Sequence, residues 1–485
     1  VSFILKLSVS LVGVLIFSLS GCGGGSSPTP AQLSADNINL IFVVNPDLAY
    51  NAPGDVDPST ANLTNQGLQR SLLMATYLKQ QVLGTNNVNR IYALEPMTHL
   101  QTTNNYPDMA ALVYIQQFAL LNQITLTGAG GAGSPLITGN SYPLNSSYSS
   151  GNVPSGVVTP SLPCQGCQGI DFNNTDGNND ALLTDVINAN IPGFYVFSAP
   201  WETTNALLTY INELYGDNLN LPANYMGPNY IYAISISSSG SASLVTYNSN
   251  ITPPSTYPVL PLPVASASCP GPDTTPSLFT ITAAGGTNNI NNNETVYMIR
   301  HAEAHPVSGW DDGNFVGAGQ WRTLYLPNAL AGKISPKQVY SIDPAQVYPG
   351  AELILGNSNF SYVRPSLTVQ PYAIANNLPY YLVTGFEIFD PSSPQLTSDF
   401  FFKGGKFSNQ TILLAWEHDH FPPIIDALLS SHFPTYVGPT APAWPSNDYD
   451  TIWTVRLDDK GNLTVNNALC EGIDSTKLPV SAPQF

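Results

Sequence analysis

Charge is what this chain has least of. Only 9% of its 485 residues are charged, and 14 Lys and Arg stand against 32 Asp and Glu, for a formal net charge of −18. Without a basic stretch to neutralise a phosphodiester backbone, nucleic-acid binding is excluded as a primary role. The surface must be covered largely by Asn, Ser, Thr, Gln and Tyr. Histidine is scarce at six residues, and cysteine is limited to Cys22, Cys164, Cys167, Cys269 and Cys470. The apolar run from Leu7 to Leu19 is too short to cross a bilayer as a helix.

What is present at the N-terminus points to export. Lys6, the apolar run and Ser20-Gly21-Cys22 read as a secretory signal over residues 1–21. Leu19-Ser20-Gly21-Cys22 resembles a bacterial lipobox, which implies cleavage before Cys22 and acylation of that residue; the alternative is a plain signal with a chance cysteine. The Gly/Ser/Pro-rich residues 22–36 then form a flexible tether. Gly23 is not the aspartate that marks inner-membrane retention, so the expected location is the bacterial cell envelope, lipid-anchored, at the outer membrane of a Gram-negative host. Four further cysteines in an exported chain suggest two disulfides with three possible pairings. Cys164–Cys167 and Cys269–Cys470 are favoured. Cys164 and Cys167 as half of a zinc site is the alternative, but no second such pair and no nearby histidine accompany them.

The length suggests two domains. A proline-rich connector, residues 252–289, separates residues 37–251 from residues 290–485, and the two parts look alike. Leu40–Asp47 matches Val296–Glu303. Leu63–Arg70, leading a helical run, matches Gly319–Arg322 and its helix. Gly193–Pro200 matches Gln410–Trp416. Tyr230–Val245 and Tyr449–Val465 each read as strand, glycine turn, strand. These correspondences imply tandem copies of one α/β unit with a mostly parallel sheet; chance similarity of two α/β domains is the alternative.

Chemistry gathers in the second part. Thr295–Ile299 is an apolar strand that ends in Arg300 and His301, with Glu303 two residues on. An arginine can clamp a phosphate in a bidentate fork and a histidine can attack it, at the edge where open α/β sheets bind ligands. A second arginine, Arg364, follows a turn at Asn359–Val363. Another apolar strand, Thr411–Trp416, leads into Glu417, His418, Asp419 and His420, and then a helical run. Strand–Arg-His, loop–Arg and strand–His in that order resemble the histidine phosphatase superfamily, which includes phosphoglycerate mutase-like and acid-phosphatase-like proteins.

The resemblance covers roughly residues 290–470 and, in degraded form, the first part. It implies two tandem three-layer α/β/α domains, the first catalytically degenerate. It further implies hydrolysis of a phosphorylated small molecule through a phosphohistidine on His301, with Arg300, Arg364 and His418 holding the phosphoryl oxygens and no metal or cofactor. In that family a backbone carbonyl fixes the tautomer of the nucleophile. The proton donor is left open. His418-Asp419 resembles the His-Asp pair of the acid-phosphatase branch, and Phe421, Pro422 and Pro423 could desolvate Asp419. Glu387 suits the mutase-like branch, and Glu417 is a third candidate, expected to point away from the pocket.

Other residues have more than one reading. Glu303 either orients Arg300 or faces solvent, His305 lines the pocket mouth or a loop, and His420 is read as structural. Zinc on His301, His418 and His420 is opposed by the arginines. In the first part, Asn45 and Pro46 are expected where Arg300 and His301 stand, His99 lies near the second arginine position, and Ser198-Ala199 occupies the second histidine position. Gly128–Gly133 lacks the Lys and Ser/Thr of a phosphate loop. Phe315–Gly319 and the Trp-Glu before His418 depart from the family pattern, which puts the substrate class in doubt. A non-enzymatic surface lipoprotein built from two phosphatase-like domains is the alternative function; a phosphomutase is disfavoured by export.

Overall fold

The computed structural model describes residues 32–50, 54–122, 141–147, 168–269, 278–282, 289–305, 311–345, 347–349, 359–383 and 393–485, and the statements below concern these. The signal, Cys22, Cys164, Cys167, Gly128–Gly133 and Glu387 lie outside them.

Two sheets organise the chain. The first uses β1 (Ile38–Val44), β2 (Arg90–Ala93), β3 (Gly193–Ala199), β4 (Tyr230–Ile236) and β5 (Ala242–Asn248), in the order β2-β3-β1-β4-β5. The second uses β6 (Leu278–Ile281), β7 (Glu294–Arg300), β8 (Gln338–Ile342), β9 (Tyr380–Val383), β10 (Thr411–Trp416), β11 (Thr451–Leu457) and β12 (Leu463–Cys470), in the order β9-β8-β10-β7-β11-β12-β6. Its inner run β8-β10-β7-β11-β12 repeats the order of the first sheet. Directions repeat as well: β1 is parallel to β3 and antiparallel to β4, and β7 is parallel to β10 and antiparallel to β11.

The sheets are less parallel than the sequence suggests. In the second, β8 with β9, β8 with β10, and β10 with β7 are parallel, whereas β7 with β11, β11 with β12, and β12 with β6 are antiparallel. The reason is local. Each half ends in a hairpin whose turn is set by a glycine at positive φ, Gly240 at 79° and Gly461 at 76°, and a hairpin adds antiparallel strands.

Strand alternation sends the two faces of each sheet to different partners. In β1, Ile41 and Val43 join α1 (Asn65–Tyr77) and α2 (Ala110–Leu120), while Leu40, Phe42 and Val44 join α3 (Asn178–Asn188) and α4 (Trp201–Leu214). In β7, Ile299 joins α5 (Gly317–Leu330) and α6 (Arg364–Ala375), while Val296 and Met298 join α7 (Ser393–Phe402) and α8 (Phe421–His432). The helices α1, α2, α5 and α6 share one apolar cluster, so the two halves have a common interior layer.

Buried polar contacts also cross between the halves. Gln116 and Asn314 exchange side-chain hydrogen bonds at 2.8 and 3.0 Å. The Ser361 hydroxyl accepts the backbone N–H groups of Ser146 and Ser147 at 2.8 and 2.9 Å. Cys269, in the connector, is disulfide-bonded to Cys470 at the end of β12, as the sequence suggests, with their Cα atoms 5.5 Å apart.

Candidate active site

The seven-residue strand β7 ends at Arg300, which is paired with Trp416, the last residue of β10. The ladder continues one step further, because the His301 N–H donates to the Trp416 carbonyl at 2.9 Å. The next N–H, of Ala302, donates to the Thr368 hydroxyl of α6 at 2.8 Å. The Arg-His pair is thus held between a neighbouring strand and a helix, at the carboxyl edge of the parallel strands.

Arg300, His301, Arg364 and His418 converge on one group, the carboxylate of Glu417. His301 Nε2 is 2.9 Å from Glu417 Oε2. Arg300 Nε lies 3.8 Å from Oε1, and Arg364 Nη2 lies 3.9 Å from Oε2. The His418 N–H donates to Oε1 at 2.8 Å, and its ring Nδ1 contacts the same oxygen. The Tyr362 hydroxyl donates to Oε2 at 2.8 Å. The arginines are held from behind. Arg300 lies 4.0 Å from the Tyr449 ring centre and donates to the Ser446 carbonyl. Arg364, first residue of α6, pairs with Asp311 and sits 4.9 Å from the Tyr362 ring centre.

His301 is fully buried, and burial pushes its imidazolium down to about 4; Glu417 attracts the proton back and Arg364 and Arg300 repel it. Burial alone would raise the Glu417 carboxyl, but His301, His418 and Arg364 reverse this and hold it well below the usual range. The two ring nitrogens face two acceptors, Ala302 O at 2.7 Å and Glu417 Oε2 at 2.9 Å. A neutral ring carries one N–H. With Nδ1–H donating to Ala302 O, a second proton must sit between Nε2 and Oε2, so the pair shares one.

Several sequence expectations change here. Glu417 turns into the pocket instead of away from it, because the alternation of β10 stops at Trp416 and the chain turns at the next residue. Asp419 is exposed, its side chain 76% accessible, so Phe421 and its neighbours do not desolvate it; it touches only the rim, 3.3 Å from His418 Nε2. Glu303 neither orients Arg300 nor faces solvent: it binds Arg322 Nε at 2.8 Å, and Arg322 also holds Glu471. His420 stacks on Trp416 with ring centres 5.0 Å apart. Tyr362, Asp311 and Tyr449 also belong to the site without a sequence motif to mark them; the one signal for Tyr362 is its place two residues before Arg364.

The first half is offset by one residue from the expected match. β1 also has seven residues and ends at Val44, paired with Ala199, and the Asn45 N–H donates to the Ala199 carbonyl at 3.2 Å. Asn45 therefore stands at the level of His301, and Val44 at that of Arg300.

No family model and no curated protein matches the sequence. Solved structures do match. One is a protein assigned as the phosphohistidine phosphatase SixA of Agrobacterium tumefaciens, at 16% identity over 34% of this chain and 92% of that one, TM-score 0.20. Another is a histidine-to-alanine variant of phosphoserine phosphatase from Entamoeba histolytica in complex with phosphoserine, at 14% identity over 36% and 97%, TM-score 0.19. A third is assigned as SixA of Nakamurella multipartitia, at 11% identity over 42% and 94%, TM-score 0.22. Likenesses of this size carry no argument about activity, which rests on the site itself.

Proposed function

We propose that the protein hydrolyses phosphate monoesters of small molecules through a phosphohistidine on His301. The observation that carries this reading is the convergence of Arg300, His301, Arg364, His418 and Tyr362 on the two oxygens of one partly buried carboxylate. A pocket whose donors all aim at an oxyanion suits a phosphoryl group, where positioning and electrostatics supply most of the rate.

In this reading Glu417 swings off His301 as substrate enters. Nδ1–H stays on the Ala302 carbonyl, so the Nε2 lone pair faces phosphorus. The Nε2–P bond forms and the P–O bond to the leaving group breaks. Glu417 keeps the proton of the pair, favoured by the incoming dianion, and passes it to the leaving oxygen. Water then attacks phosphorus, the P–N bond breaks, Glu417 takes the proton from water and inorganic phosphate departs. Glu417 is preferred over Asp419 and Glu387 as the donor because it already touches Nε2. We further propose that the halves are tandem copies, supported by the shared strand order, and that the protein is exported and lipid-anchored at Cys22, supported by Leu19–Cys22.

One observation favours a second reading, a non-enzymatic binding module: Glu417 fills the pocket. Hydrolysis of an aryl phosphate with chelator present, from acidic to neutral pH, separates the two. Turnover that disappears in His301→Ala supports the phosphatase; no turnover at any pH supports the binding module.

A further inference from the structure

The edge of the first sheet that corresponds to the phosphate pocket has the opposite charge. Asp47 follows β1 by three residues, Glu202 lies in the first turn of α4 directly after β3, and His99 and Asp108 come from the segment between β2 and α2. His99 Nδ1 is 2.9 Å from Asp108 Oδ2 and 3.5 Å from Asp47 Oδ2. The three donor atoms lie within 4.8 Å of one another. A tetrahedral ion bound at about 2.0–2.2 Å from each donor separates its donors by roughly 3.4 Å, so small side-chain adjustments suffice.

A second observation shows that the cluster is incomplete as a hydrogen-bonded ion pair. Asp47 and Asp108 are 2% and 0% exposed. His99 satisfies Asp108, but Asp47 Oδ2 is buried and has no hydrogen-bond partner. Glu202 Oε2 is in the same condition. One imidazole cannot compensate three carboxylates, and unpaired buried charge is costly. His99 is also fixed from one side, its ring stacked on Phe172 with centres 3.7 Å apart and planes 2° apart.

We propose that Asp47, His99 and Asp108 form a binding site for a divalent transition-metal ion, with Glu202 as a fourth or outer carboxylate. One imidazole nitrogen with two or three carboxylate oxygens suits zinc or manganese. Binding through Nδ1 displaces the proton from that nitrogen, to solvent from an imidazolium or to Nε2 from a neutral ring. The half that lacks the phosphate clamp then keeps a ligand site at the same sheet edge, with the sign of its ligand reversed.

The test is isothermal titration of the chelator-stripped full chain with Zn2+ and Mn2+, using Mg2+ for comparison. It reads binding, so its failure is separate from any failure of the phosphatase reading. Zinc or manganese should bind at one ion per chain and should weaken by at least about tenfold in Asp47→Asn and in His99→Gln. Asp108 also accepts the Ala110 N–H at the start of α2, so Asp108→Asn can disturb folding. Asp47→Asn keeps an oxygen for the Ala49 N–H and is the deciding variant, with circular dichroism confirming its fold. Absence of zinc and manganese binding in the unaltered protein, or equal affinity in Asp47→Asn, would overturn the proposal.

Discussion

Glu417 is the residue on which the site turns. It takes hydrogen bonds from Tyr362 and His418, shares a proton with His301 and lies between Arg300 and Arg364. If it delivers that proton, Glu417→Gln should lower turnover of alkyl phosphates, whose leaving groups need protonation, by about 10²–10⁴. Aryl phosphates with acidic leaving groups should lose much less. A comparison of kcat across leaving groups checks this, and an equal loss for all of them would remove Glu417 as the acid. The sequence offers Glu417 only as a third candidate for this role, because a strand continued past Trp416 would turn its side chain away. Arg300, His301, Arg364 and His418 were legible because each sits where an apolar strand stops or a helix begins. Glu417 was not, because strand alternation predicts a side chain only as far as the ladder runs. Asp311, Tyr362 and Tyr449 come from loops that only tertiary packing brings together.

Among the elements, β7 begins with a buried ionisable residue. Glu294, at its start, is fully buried, and burial pushes its carboxyl up to about 9 although Asn291 donates to it. Its folded pKa is above the unfolded value, so its contribution is fully present below about pH 4.5 and is lost as pH rises towards 9. Glu294→Gln, which cannot ionise, should flatten the alkaline side of the stability profile measured by urea denaturation; an unchanged alkaline slope would show that Glu294 ionises freely. The strands themselves were readable from apolar runs, as in β1 and β7. The parallel fraction was overestimated because the terminal hairpin of each half also docks antiparallel on the central strand, and β6 adds a further antiparallel pair.

At the scale of the molecule, the halves are joined by a common apolar layer and by buried polar contacts that no sequence pattern announces. Ser361→Ala leaves the Ser146 and Ser147 N–H groups without their acceptor and should cost roughly 1–3 kcal/mol for each group left unsatisfied. Because those contacts cross the interface, both halves should unfold in a single transition that shifts as a whole in this variant. Two resolved transitions, only one of them moved, would show the halves to be independent. The repeat of strand order was legible as ordered correspondences along the chain, whereas the one-residue offset at Asn45 needed the register of β1 against β3.

The most direct test of the account is to quench the protein during turnover of a radiolabelled phosphate monoester and locate the label by mass spectrometry. An acid-labile, base-stable phosphate should appear on His301 and be absent from His301→Ala together with turnover. Label on another residue, or turnover that survives in His301→Ala, would contradict it.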